Sequence, residues 1–134
     1  MMDSIQEATD FFHRWNNAWN TGNVEKQIRE MHFPNVRLDG ENRFEMLETA
    51  DEFWAQQASI TARLEEKWHQ TSTLSIHSTQ AGPEKVHLVI RQSRQHVDGI
   101  EYHGFNTLWI FTKIDDRWGV QFRSSFLSVN SVVQ

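Results

Sequence analysis

Two short reversals, Asp98-Gly99 and Asp115-Asp116, divide the second half of the chain into segments whose apolar residues recur at every second position. Successive side chains of a strand point to opposite faces, so placing the turns assigns every residue between them to a face. With Asp98 and Gly99 as a two-residue turn, Arg94 pairs with His103, Gln92 with Phe105, Ile90 with Thr107 and Leu88 with Trp109. With Asp115 and Asp116 as the next, Phe105 pairs with Phe126, Thr107 with Ser124, Trp109 with Phe122, Phe111 with Val120 and Lys113 with Trp118. One face then carries Val86, Leu88, Ile90, Phe105, Trp109, Phe111, Trp118, Val120, Phe122 and Phe126, and is the expected core face.

The opposite face is mixed. It carries Arg91, Asn106, Leu108, Ile110 and Arg123 among hydroxyls and amides, a blend of apolar anchors with Arg that interfaces use. Two readings stand: a homodimer formed through this outer sheet face, or apolar residues left half-exposed, which is common for isolated ones.

The first half of the chain has a different period. Ser4-x-x-Glu7 reads as a capping box, and Ile5, Ala8, Phe12, Trp15 and Trp19 follow at helical spacing, with Gly22 as the stop. Asn23 caps a short second helix carrying Val24, Ile28 and Met31. Pro34 then turns the chain into extended form, and "NVRL" reads as a short strand. Thr49-x-x-Glu52 is a second capping box, opening a third helix with Phe53, Gln57, Ile60 and Leu64 on one face. Strands are expected over 67–79, 85–97, 100–114 and 117–129. Helices followed by a meander of strands define a single α+β domain, expected over 1–134, rather than an alternating α/β fold.

Composition narrows the function classes. The chain has no cysteine, which excludes disulfides, thiolate metal sites and a cysteine nucleophile. A net charge of −5 with scattered Lys and Arg argues against a nucleic-acid partner, because such binders concentrate positive charge on one face. No apolar run is long enough for a membrane span and the amino-terminal segment is charged and amphipathic, so a soluble cytoplasmic protein without a membrane partner is expected. The seven histidines show no metal-ligand spacing. They read as surface groups, with His32 facing the negative end of the second helix. Neither a metal nor a cofactor is expected.

The expected core face grades from apolar at the Leu88 and Trp109 end to polar at the end holding Gln92, Arg94, His103 and Thr107. Burying an unpaired Arg or His is costly. Either that end opens to solvent, with Arg94 and His103 a solvated cross-strand pair, or it lines a small-molecule pocket between sheet and helices.

The order of three helices, a short strand after the second and a long curved meander, together with "AWNTGNVEKQIREMHFPNVRLDG" and "RWGVQFRSSF", resembles the nuclear transport factor 2-like superfamily, including its SnoaL-like and ketosteroid isomerase-like members. The resemblance covers nearly the whole chain. It implies a cone-shaped fold with three amino-terminal helices packed in a curved, mainly antiparallel sheet, a cavity at the wide end, and dimerisation through the outer sheet face. Ketosteroid isomerases place a general-base aspartate near the strand that "NVRLDG" resembles, where Asp39 stands here. Their tyrosine donor from the first helix is replaced by Phe12, Trp15 and Trp19. Limonene epoxide hydrolases use an Asp-Arg-Asp group, of which Asp39 and Arg94 supply two members. Dehydratases and cyclases pair a His with an Asp, and Asp39 with His103 is the matching pair.

The resulting site has Asp39 as base, His103 as acid or partner base and Arg94 holding an anionic or carbonyl oxygen, with Trp15, Trp19, Trp68, Gln92 and Thr107 bordering a ligand. As a plain turn residue before Gly40, Asp39 would have no chemistry. Small-molecule binding with cofactor-independent lyase, isomerase or hydrolase action is one expectation. A non-catalytic dimeric binding or interaction module is the other.

Overall fold

The protein, described by a computed structural model over residues 3–64 and 68–127 and with side-chain surroundings over 3–57 and 68–127, has three helices and one six-stranded sheet. Helix α1 spans Ser4–Asn20, α2 Val24–Arg29 and α3 Ala50–Leu64. The strands are β1 Met31–Leu38, β2 Phe44–Leu47, β3 Gln70–Ala81, β4 Lys85–Gln95, β5 Glu101–Ile114 and β6 Arg117–Ser125. They lie side by side in the order β2-β1-β6-β5-β4-β3, all antiparallel except the β1 and β6 pair. None of the described helices is long and apolar enough to cross a membrane.

Local chemistry caps α2 and α3 at the expected residues and α1 one residue earlier. Asp3, not Ser4, caps α1, its carboxylate accepting from the Gln6 N–H at 2.8 Å. At the other end Asn23 N–H donates to Ala18 C=O and Gly22 N–H to Trp19 C=O, the doubly bonded Schellman closure. Gly22 has φ 68°, which a side chain would resist. Asn23 caps α2 through the Lys26 N–H, and Thr49 accepts from Glu52 N–H ahead of α3. Phe53 and Gln57 face inward on α3; Ile60 and Leu64 lie outside the described side chains, as do residues 128 and 129 of the last expected strand.

Of the two reversals, one is the expected two-residue turn and the other is longer. Asp115 and Asp116 both have positive φ, 51° and 63°, and form the two-residue type I′ turn. At Asp98-Gly99 only Gly99 has positive φ, and the bond from Gly99 N–H to His96 C=O makes the loop one residue longer. Tyr102 absorbs that residue as a bulge between the Gln95 and Glu101 pair and the Arg94 and His103 pair. Arg94 therefore does face His103, Gln92 Phe105, Ile90 Thr107 and Leu88 Trp109.

A second bulge overturns the register farther along. Phe111 pairs with Val120, but Ile110 pairs with Phe122, so Gln121 is the extra residue and the alternation of β6 reverses beyond it. Trp109 now faces Arg123, and Thr107 faces Ser125. Arg123, expected on the outer face, is buried inside at 9% exposure, whereas Phe126, expected in the core, is 75% exposed and Phe122 is only partly buried. The other eight members of the expected core face are buried.

Helix α1 covers the concave side of the sheet. Phe12 and Trp15, three residues apart and thus on one helix face, both meet the Trp109 ring edge-on, with centroids 4.9 Å away in each case. Such pairs add about 0.5–1.5 kcal/mol beyond the area they bury. Strand β1 closes the far side. Gly119 permits its approach, since a Cβ there would sit 2.9 Å from the Met31 carbonyl carbon and from the His32 ring.

His32 is not a surface group. It is buried in β1, where its Nε2 lies 2.9 Å from Arg117 C=O and its Nδ1 accepts from the Arg117 guanidinium at 3.0 Å. This pattern requires the neutral ring with its proton on Nε2. Burial pushes the imidazole below its ordinary value of 6.5, and the Arg117 charge adds to the shift. The unfolded chain thus binds a proton more readily than the folded one, so this contribution to stability is present above the ordinary value and lost as pH falls through it. Urea melts should show stability falling from about pH 7 to pH 5, with a smaller fall in His32→Gln; equal slopes in the two proteins would contradict this assignment.

Candidate functional site

A cavity of about 400 Å³ lies between the concave sheet and α1, with β1, β2 and α3 along its edge. Helix α1 contributes Trp15, Asn16 and Trp19, spaced so that all three point toward β3, β4 and β5. Phe105, Thr107 and Trp109 supply the floor from alternate positions of β5.

Most polar groups on its wall satisfy one another. Asn16 accepts from the Gln92 side-chain amide at 3.0 Å and donates to Thr71 C=O at 3.1 Å, while Gln92 accepts from the Thr73 hydroxyl at 2.7 Å. The Trp19 indole donates to the Thr71 hydroxyl, and the Trp109 indole to that of Thr107, each at 3.0 Å. Arg37 is held by Glu45 and Gln56. Burial pulls the Glu45 carboxyl up, but hydrogen bonds from Gln56 and Arg37, with the Arg37 charge, outweigh it and hold the group below the usual carboxylate range. Gln92 and Thr107, both expected as ligand contacts, do line the cavity, yet their polar atoms are already engaged.

Among the described residues, five buried wall atoms have no partner: Nε and Nη1 of Arg94, Nε and Nη2 of Arg123, and Nε1 of Trp15. All five are donors. Arg94, 7% exposed, lies 5.9 Å from the Trp19 ring centroid and 5.5 Å from that of Phe105. Arg123 lies 5.0 Å from Trp15 and 5.2 Å from Trp109. Cation–π attraction of this kind is worth about 0.5–2 kcal/mol, well short of the several kcal/mol that burying a charge costs. Burial drives the Arg94 pKa down to about 10, which still leaves a cation at neutral pH. The Arg123 pKa is held well below its ordinary value by burial and by the neighbouring Arg37 and Arg94 charges, against the pull of Glu45. Arg123 escaped the sequence reading because the Gln121 bulge that turns it inward has no local signature.

The remaining expected site residues separate. Asp39 lines the cavity just beyond β1, but its Oδ1 accepts from the N–H groups of Glu41 and Arg43 at 2.8 and 2.9 Å, the geometry of a turn residue. Trp68 stands behind Trp19, their rings edge-on at 5.4 Å, and donates to the same Thr71 hydroxyl without reaching the cavity wall. His103 also lies outside the lining, stacked on Phe105 at 5.8 Å, with its pKa lowered by burial and then by Arg94. Asp39 and His103 therefore do not share the cavity. Among the described residues no group of three or more His, Asp or Glu is placed to hold a metal ion.

Comparison with known proteins identifies the fold. No family model matches the sequence, and no curated protein does. Solved structures match at low identity. A protein of unknown function with a cystatin-like fold from Nostoc punctiforme superposes with a TM-score of 0.76 at 8% identity, covering 96% of each chain. An NTF2-like protein from Cytophaga hutchinsonii gives 0.71 at 12% identity over 93% of this chain and 98% of its own. A candidate ketosteroid isomerase from Shewanella frigidimarina gives 0.70 at 12% identity over 88% and 93%. The chain has the cystatin-like, NTF2-like α+β fold, as its element order implied.

A buried cation with no partner among the described residues opposes folding. Arg123→Met, which keeps the volume and removes the charge, should raise the unfolding free energy of the ligand-free protein by about 1–4 kcal/mol in urea melts. A loss of similar size would mean that the guanidinium already has a partner.

Proposed function

We propose that this chain is a small-molecule-binding domain whose cavity takes an organic anion. One observation carries the reading: the buried guanidiniums of Arg94 and Arg123 and the Trp15 indole N–H, all in the cavity wall, have no acceptor among the described residues, while the surrounding amides and hydroxyls are mutually bonded. A ligand bearing acceptors only, set in an aromatic wall, would complete that set, and charge-assisted hydrogen bonds of this type are roughly twice as strong as neutral ones. The cavity size suits such a ligand, within the range of about 300–1,000 Å³ common to small-molecule sites.

Proton-transfer chemistry without a cofactor is the second reading. What favours it is Asp39, whose Oδ1 is engaged while no hydrogen bond from the described residues reaches Oδ2. With Asp39 as base and Arg94 stabilising a developing oxyanion, lyase, isomerase or hydrolase action on the bound anion would follow. His103 has no part in this scheme.

The assembly reading is a homodimer through the outer sheet face, built on Arg91, Asn106, Leu108 and Ile110, with Phe122 replacing Arg123. Light scattering should give a dimer that Leu108→Asp converts to a monomer. A monomeric parent protein would end that reading.

Calorimetric titration with benzoate, benzyl alcohol and benzylamine tests the first reading. Benzoate should bind at least ~10-fold more tightly than either isostere, a difference of about 1.4 kcal/mol. Equal binding of the alcohol would reduce the site to an apolar pocket. Asp39→Asn should retain benzoate affinity within ~3-fold, since only its carboxylate-to-amide change bears on the second reading.

A further inference from the structure

We infer that the ligand is an amphipathic monocarboxylate that enters head first, with its one carboxylate at the enclosed end of the cavity beside Arg94 and Arg123 and an apolar body running out to Phe44 at the mouth. The inference rests on the anion-binding reading above and deepens it to a ligand class and an orientation.

The number of charges follows from the wall. Of its four arginines, Arg37 is paired with Glu45 and Arg43 with Glu41. Arg94 and Arg123 remain, and the Asp39 carboxylate on the same wall offsets one of them. Among the described residues the wall therefore carries one net positive charge, which one carboxylate neutralises. A second anionic group would leave a negative charge without a counterion where desolvation makes that costly. Nε and Nη1 of Arg94 and Nε and Nη2 of Arg123 are enclosed by protein, so they contribute field rather than contact. Contact falls to the third nitrogen of each guanidinium, Nη2 of Arg94 and Nη1 of Arg123.

The orientation follows from exposure. Arg94 and Arg123 lie at the buried end, against rings that are themselves buried, Trp15, Phe105 and Trp109. Phe44, on the same wall, is 67% exposed. It pairs with Leu38 across β1 and β2, and Leu127 C=O accepts from Gly40 N–H at 3.3 Å, so Leu38, Phe44 and Leu127 form one apolar rim. A phenyl ring left in water beside a cavity contributes little to the core, whereas covering it on binding is favourable.

The body between head and rim is apolar for a separate reason. Asn16, Gln92 and Thr107 already have their polar atoms engaged within the protein. A hydroxyl or amide carried past them would lose its water and find no partner.

Calorimetric titration with butanoate, hexanoate, octanoate, octanedioate and octanol separates the alternatives. Each added pair of methylenes should tighten monocarboxylate binding by ~5-fold or more, and octanedioate and octanol should each bind ~10-fold or more weakly than octanoate. Phe44→Ser, at an exposed position, should weaken octanoate by ~5-fold or more and leave butanoate within ~2-fold. Arg94→Met should weaken all three monocarboxylates by a similar factor of ~10 or more. Thermal melts of each variant establish that it is folded. If butanoate binds as tightly as octanoate, or Phe44→Ser leaves the series unchanged, the head-first inference falls while the anion cavity stands. If octanedioate matches octanoate, the single-charge inference falls. If Arg43→Gln weakens the series and Arg94→Met does not, the carboxylate sits at the rim and the orientation is wrong. If octanol matches octanoate, or no carboxylate binds, the anion-binding reading itself is lost.

Discussion

One extra residue in β6 decides what kind of cavity this protein has. Gln121 is the unpaired residue between the Phe111 and Val120 pair and the Ile110 and Phe122 pair, and its side chain is tied down, accepting from the Thr112 hydroxyl at 2.9 Å and donating to Pro34 C=O. A strand has a side-chain period of two, so a single insertion exchanges the faces of everything that follows. Before it Trp118 and Val120 point into the core; after it Arg123 and Ser125 take the inner positions and Phe122 faces out. Without the bulge the same residues would put two phenylalanines against the Trp109 side and close the cavity with hydrocarbon.

The inserted cation shapes its surroundings. Arg123 lies against Trp15 and Trp109, and the latter ring is held edge-on by Phe12 and Trp15 of α1. Farther along the wall, Thr71 serves Asn16, Trp19, Asn20 and Trp68 at once, locking α1 to β3. Rigid rings and a saturated amide network leave the guanidiniums little room to fold back and find a partner within the protein. Stability is given up at the site and recovered in the core behind it, where Phe12, Leu88, Phe111 and Val120 are fully buried.

How much of this was legible follows from the range of each interaction. Helix α1 and the inner faces of β4 and β5 can be read from periodicity because their apolar residues recur at helical and two-residue spacing. The short β2 escaped, since three of its four residues are exposed and show no alternation. The Asp98-Gly99 loop is one residue longer than its sequence predicts, and the expected pairing holds only because the Tyr102 bulge restores it. His32 looked like a helix-end surface group because nothing nearby in sequence announces Arg117, its partner 85 positions away. His103 shares β5 with true wall residues and Trp68 stands just ahead of β3, yet both lie beyond the wall.

By itself the sequence determined an α+β chain of helices followed by a curved meander, the identity of most of its core, and Arg94, Trp15 and Trp19 as residues brought to one place. Those features depend on periodicity and on turn chemistry, which act over a few residues. Only the tertiary structure decided that Arg123 joins Arg94 inside, that the amides between them are already satisfied, and that Asp39 and His103 stand apart. Those outcomes depend on a one-residue offset between strands and on hydrogen bonds spanning tens of positions, and neither leaves a mark on the local pattern.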